Sequence, residues 1–265
     1  RGGVTRFATP RCVFVDAHTS AQAVHSQGIF ASGVTTLLIE DCVFDRNGHG
    51  ELADASDDPT IFNHNLYLQY SNALDVVVRR NIICRASSHG IQLRSGGVIE
   101  NNLFFRNPIN IQCGYDTPVP GAKADVVNNV VLECTDISPS LPRGWGLNFK
   151  NLVSARVERN IVAHQTSAKV NRRSIEVWPN VTYKDNVVYD WPVGTAGRGW
   201  GETLETPGPW KDPNRSIAKY CGSLGLPATV DTFYARIRAQ SRAEPDPRFT
   251  AETINAYFVA GFQKP

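Results

Sequence analysis

Five stretches of the chain repeat one arrangement of apolar and polar positions: VVVRRNIICR, VIENNLFFRN, DVVNNVVLEC, ARVERNIVAH and VTYKDNVVYD. Each is a strand-like run, an asparagine, then a second apolar run. The asparagines are Asn81, Asn102, Asn129, Asn160 and Asn186, between 21 and 31 residues apart. Upstream, LLIEDCVFD and TPRCVFVD fit the same frame with Cys42 and Cys12 in the asparagine position. Apolar residues alternate before and after each corner, a period that argues for half-buried strands rather than helices. The corner asparagine can hydrogen-bond the copies above and below, and it tolerates the left-handed backbone of a tight corner. Repeats of this length, each holding three short strands, stack as a solenoid. The pattern predicts an all-β chain of about seven coils with an asparagine corner ladder.

Counting back from the corners aligns the strand that opens each coil: QGIFAS, HNLYLQ, HGIQLR, INIQCG, GLNFKN and SIEVWP. The alignment predicts that Ile29, Leu66, Ile91, Ile111, Leu147 and Ile175 point inward, as do Ala31, Leu68, Leu93, Cys113, Phe149 and Val177. Phe30, Tyr67, Gln92, Gln112, Asn148 and Glu176 then face outward. So do Ser32, Gln69, Arg94, Gly114, Lys150 and Trp178, and one step earlier Asn65, with glycines leaving space. Neighbouring coils lie about 4.8 Å apart, so the outward residues form a grid of fixed spacing. Amides are poor strand formers, and a merely solvated face usually carries more Lys, Glu, Thr and Ser. Amides, aromatic rings and a few charges suit a sugar chain instead. By the same alternation, His64 and His89 stack in successive coils towards the interior side, as a catalytic pair or as a turn ladder. Long connections before residues 64, 146 and 174 are expected to wall the face into a cleft around Arg94, Gly114 and Lys150.

After YDWPVG the period stops. Residues 1–191 are read as the solenoid, 192–214 as a loop rich in Gly, Pro and Trp, and 215–265 as a helical cap over the open end. TVDTFYARIRAQ sets Val230, Phe233, Tyr234 and Ile237 on one stripe. TAETINAYFVAGF does the same for Ile254, Tyr257, Phe258 and Phe262, with Thr250 as N-cap.

Composition narrows the classes. With 27 basic and 25 acidic residues, the chain lacks the global charge of a nucleic-acid binder. No run approaches the ~18 apolar residues of a membrane-spanning helix. The 265 residues contain no methionine, so a longer translation product is expected, with a leader or N-terminal segment ahead of Arg1. Six cysteines are too few for a disulfide framework, and Cys12 and Cys42 are expected as free buried thiols although adjacent coils could pair them.

The repeat resembles the right-handed parallel β-helix of the pectate-lyase-like superfamily. The resemblance implies that fold over roughly residues 1–191, and it admits lyases, hydrolases, epimerases and adhesins. An acidic polysaccharide is the expected partner, because Arg94 and Lys150 face the cleft. In β-elimination a base removes the proton α to a uronate carboxylate, a cation neutralises that carboxylate, and an acid protonates the leaving oxygen. Arg94 suits the carboxylate, since its fork pairs bidentately. Lys150 is the candidate base, and Tyr67, His64 or His89 the candidate acid. Asn65, Gln69, Gln92, Gln112, Asn148, Glu176 and Trp178 are the candidate sugar contacts. Family lyases often use Ca²⁺, and Asp57 and Asp58, near Asp54 and Glu51 in a long loop, could bind it or serve as a hydrolase acid pair. Asp-Asp, then SHG, then a strand ending in Lys150 also resembles polygalacturonases, but SHG stands for Gly-His-Gly and LNFK lacks their arginine. A glycoside hydrolase using Glu176 or the loop aspartates, a C5 epimerase, and a non-catalytic carbohydrate-binding or structural β-helix stay open. A polymer substrate implies an extracellular or periplasmic location.

Overall fold

The computed structural model describes residues 6–19, 25–50, 60–72, 75–166, 173–191, 206 and 208–265. Asp57 and Asp58, with the rest of the acidic loop, and most of 192–214 lie outside the described residues. Three all-parallel sheets, of six, seven and seven strands, wind around one core, so the solenoid is a parallel β-helix. The first-strand sheet stacks Gln27–Ala31, His64–Leu68, His89–Leu93, Ile109–Gly114, Trp145–Lys150 and Arg173–Ile175. Its register pairs Ile29 with Leu66, Leu66 with Ile91, Ile91 with Ile111, Ile111 with Leu147 and Leu147 with Ile175, as the alternation requires.

The corner ladder is continuous. The Asn102 side-chain oxygen accepts from the backbone and the side chain of Asn81, at 2.9 and 3.0 Å. Asn129, Asn160 and Asn186 repeat this, and Cys42 donates its backbone N–H to Asn81. Each rung satisfies buried backbone groups that a bend would otherwise leave unpaired. The left-handed conformation falls not on the ladder residue but on the one before it: Arg11, Asp41, Arg80, Asn101, Asn128, Arg159 and Asp185 all have φ between 53° and 57°. Outside the turn, these polar side chains pair across coils, as Arg80 does with Asp41. All six cysteines are free.

The run after each corner is apolar on both faces, and not alternately apolar and polar as expected. Ile82 and Cys84, Leu103 and Phe105, Val130 and Leu132 turn outward, while Ile83, Phe104 and Val131 fill the solenoid. Strands buried on both faces need a second apolar layer. It comes from helices α1 (Ile217–Ser223), α2 (Val230–Arg238) and α3 (Ala251–Gly261), capped by Ser216, Thr229 and Thr250. Phe233, Tyr234, Ile237, Ile254 and Phe258 pack on this outer face. The helical segment is therefore a buttress along the third-strand sheet and not the expected cap on the open end. Polar contacts fix it in place. Arg238 donates to Asp16 at 2.8 Å and to the fully buried Asp45, which also takes Arg85 at 2.6 Å.

Candidate functional site

The outward face of the first-strand sheet carries most of the predicted grid. Gln92 pairs in register with Tyr67 and Gln112, and Gln112 with Asn148. Gly114 pairs with Lys150, and Arg94 follows Leu93 one coil earlier. The backbones of Arg94 and Lys150 are thus two coil steps, about 10 Å, apart. Arg94 lies with its guanidinium 4.8 Å from the Tyr67 ring centre and 4.3 Å from that of Tyr115. Its Nη1 donates to Gln69 at 3.3 Å, while its buried Nε has no hydrogen-bond partner among the described residues. No carboxylate among them pairs with it.

Strict alternation misplaces the row before the grid. Asn65 does not face outward: it accepts from Asn47 at 2.8 Å and donates to Cys84 and Asn107. It is a rung of a second, fully buried ladder that continues through Asn107 and Asn110. The residue at this corner turns inward beside another inward residue, so the strand gains one step. His64 and His89, expected towards the interior, are thereby carried onto the outward face. Their rings stack at 4.6 Å, and His64 stacks on Tyr67 at 4.7 Å. The glycines do not leave room for a ligand. A Cβ on Gly114, whose φ is +87°, would come within 1.8 Å of the Lys150 carbonyl, and one on Gly90 within 2.7 Å of the Asn110 carbonyl.

A second departure occurs in the last coil. Val177, expected inward, is 45% exposed, and Trp178 packs against the solenoid core instead of joining the outward grid. The short last strand ends at Ile175, and the slip beyond Glu176 flips both side chains. Glu176 keeps its place on the grid, accepting from Asn148 and pairing with Arg173 at 3.1 Å. The loops also differ from expectation. The connection entering Trp145–Lys150 lies at the Trp145 end, where it presents Arg143. At the Arg94 end, turns leaving the strands contribute Tyr70 and Tyr115, stacked at 5.2 Å, and Asp116, which pairs with Lys150 at 2.7 Å. The recurrence of Tyr right after Gln69 and Gly114 is the signal that could have found this wall.

The electrostatics sort these groups by role. Burial holds His89 down at about 3, against a hydrogen bond of 2.8 Å to Gln112. His89 Nδ1 meets Ser88 at 2.9 Å, so both its nitrogens are engaged. Burial also holds His64 well below the usual histidine range, and neighbouring His89 and Arg94 push the same way. Both imidazoles are neutral at neutral pH. Burial raises the Tyr67 phenol, against the opposite effect of Arg94, and keeps it protonated, while its oxygen accepts from Gln69 at 2.8 Å. Burial pushes Glu176 up to about 7, against the pull of Arg173. Among the described residues no group of three His, Cys, Asp or Glu side chains is placed to hold a metal ion. No helix among them is long and apolar enough to cross a membrane. Comparison of the chain with protein-family models, curated proteins and solved structures gave no match.

Proposed function

We propose that this chain is a carbohydrate-active enzyme of the pectate-lyase-like kind, which cleaves a uronate-containing polysaccharide by β-elimination on the first-strand face. Arg94 carries the reading. A guanidinium held between two tyrosine rings, with no carboxylate partner among the described residues, suits a carboxylate brought by the ligand. There it neutralises the charge that builds up when the α proton leaves. Tyr67 is the acid: its phenol is protonated, and Gln69 fixes its oxygen so that the O–H points away from the amide donor. Lys150 is the base. Among the described residues only the exposed Asp116 pairs with it, and a surface ion pair worth ~0–1 kcal/mol yields to substrate. His64 and His89 are neutral, with both nitrogens of His89 already engaged, and they act as the floor under Tyr67. Gln92, Gln112 and Asn148 complete the grid beside them. Ca²⁺, if used, would need carboxylates beyond the described residues, such as Asp57 and Asp58.

Glu176 supports a second reading, a glycoside hydrolase, because a carboxyl pushed up to about 7 suits a general acid. That chemistry needs a second carboxylate flanking the same bond. On this face the other carboxylates among the described residues are Asp116, engaged by Lys150, and Asp136, which accepts from the Arg143 backbone N–H.

An ultraviolet assay on alginate, pectate, glucuronan, hyaluronan and chondroitin separates these readings. Elimination creates an absorbing unsaturated uronate, which Arg94→Ala and Lys150→Ala should each abolish with folding intact. New reducing ends without absorbance would support the hydrolase, and binding without turnover a carbohydrate-binding module. Absorbance untouched by both substitutions would place the chemistry elsewhere.

A further inference from the structure

The same face holds a second group of cations that the proposed reaction does not use. Arg143 and Arg173 both lie over the Trp145 indole, with guanidinium carbons 5.2 and 4.8 Å from the ring. They reach it from different directions. Arg143 comes from the loop entering the strand, and Arg173 from the next coil, where it pairs in register with Trp145. Arg173 is offset by Glu176 at 3.1 Å. Arg143 is not so well supplied. Its Nη1 donates to the Pro142 carbonyl at 2.9 Å, and its backbone N–H donates to Asp136 at 2.8 Å. Its Nε is buried and without a hydrogen-bond partner among the described residues. Burial and the nearby Arg173 disfavour its charge, against the opposite effect of Asp136. Two guanidinium groups on one aromatic ring, one with an unused buried donor, form a site that an anion would complete.

The position of this site sets the size of the ligand. Trp145 and Lys150 are the two ends of one strand, five residues apart, or about 17 Å. Arg94 lies at the Lys150 end, two coils earlier, so the diagonal between the two cationic sites is about 20 Å. A disaccharide cannot reach from one to the other. Between them lie Gln92, Gln112 and Asn148, the amide rows of the grid.

We infer that Arg143 and Arg173 over Trp145 form a second carboxylate-binding subsite, and that the ligand is an acidic oligosaccharide long enough to occupy it and Arg94 at once. This rests on the carbohydrate reading of the face but not on the cleavage chemistry.

Calorimetric titration of the full chain with oligouronates from dimer to octamer tests it, using the Lys150→Ala variant if the chain cleaves them. Affinity should rise with length and step up once the oligomer spans both sites. In Arg143→Ala that step should fall about tenfold, the worth of one hydrogen bond to a charged group. Arg143→Lys, which keeps the charge but loses the fork, should restore only part of it, and thermal unfolding of both variants checks the fold. Carboxyl-reduced oligomers should lose the step, and sulfated oligomers of equal length distinguish carboxylate from sulfate recognition. A step unchanged in Arg143→Ala, or no dependence on length, overturns the second subsite even if elimination is observed. A step that disappears in Arg143→Ala while no polymer is cleaved upholds the subsite and removes the lyase.

Discussion

His89 and Glu176 are neighbours on one face whose protons act on stability in opposite directions. His89 is held at about 3 in the fold, below its ordinary 6.5. Between these values the unfolded chain binds the proton and the native one does not, so stability falls as pH drops through that window. Glu176 is raised from 4.5 to about 7, so there the native state holds the proton, and stability falls as pH rises through that range. The unfolding free energy of His89→Gln, measured by denaturant titration between pH 3 and pH 8, should therefore have a shallower acid-side slope, with His64 supplying part of what is left. Glu176→Gln should be least harmful at pH 8, where wild type has already lost the proton. Because both histidines are neutral above pH 6.5, the elimination rate should show no histidine limb near that pH. A limb there that His64→Gln removes would make His64 a participant and not a support for Tyr67.

Each ladder rung joins three coils, so the value of a rung depends on what lies on either side. Asn102 accepts two bonds from Asn81 and donates to Asn129 and to the Val78 carbonyl, all fully buried. Asn102→Ala leaves several of these groups unpaired, at ~1–3 kcal/mol for each. We expect a loss of about 3 kcal/mol or more in equilibrium unfolding. Asn186 ends the ladder, is half-buried and has no further rung beyond it among the described residues, so Asn186→Ala should cost less, about 1–2 kcal/mol. Equal costs at the two positions would mean that the turns, and not the ladder, hold the corner.

The chain folds back on itself: after the last coil it returns along the third-strand sheet to the first coils. Arg238 and Asp16 are 222 residues apart in sequence. The whole β-helix must therefore be wound before its buttress can dock, and the buttress covers the apolar residues the third strands leave outside. A chain ending at residue 214 should expose that face and form soluble aggregates or precipitate, visible by size-exclusion chromatography. Arg238→Ala should destabilise by about 2 kcal/mol, less than the ~3–5 kcal/mol for a buried charge left alone, because Arg85 still holds Asp45. Loss of the helices without aggregation would show that the outer face tolerates water.

The periodicity of the chain specified the coils, their number, the ladder positions and the inward set from Ile29 to Ile175, because a recurring corner pattern leaves few registers in which every coil buries its apolar face. It also contained more than alternation could read. The unbroken apolar runs after each corner, such as Leu103 to Phe105, already required a second covering layer. What depended on three-dimensional packing was where the alternation breaks. The inward turn at Asn65 and Gly90, set by close approach to the next coil, carries His64 and His89 onto the outward face. The short last strand takes Trp178 off it. Side chains from separate coils, Tyr115 on Arg94 and Arg173 on Trp145, meet only because coils 4.8 Å apart bring distant segments together. Spacing along a chain fixes which face a strand residue occupies, but contacts between coils set the few steps where the count slips, and here those steps line the candidate site.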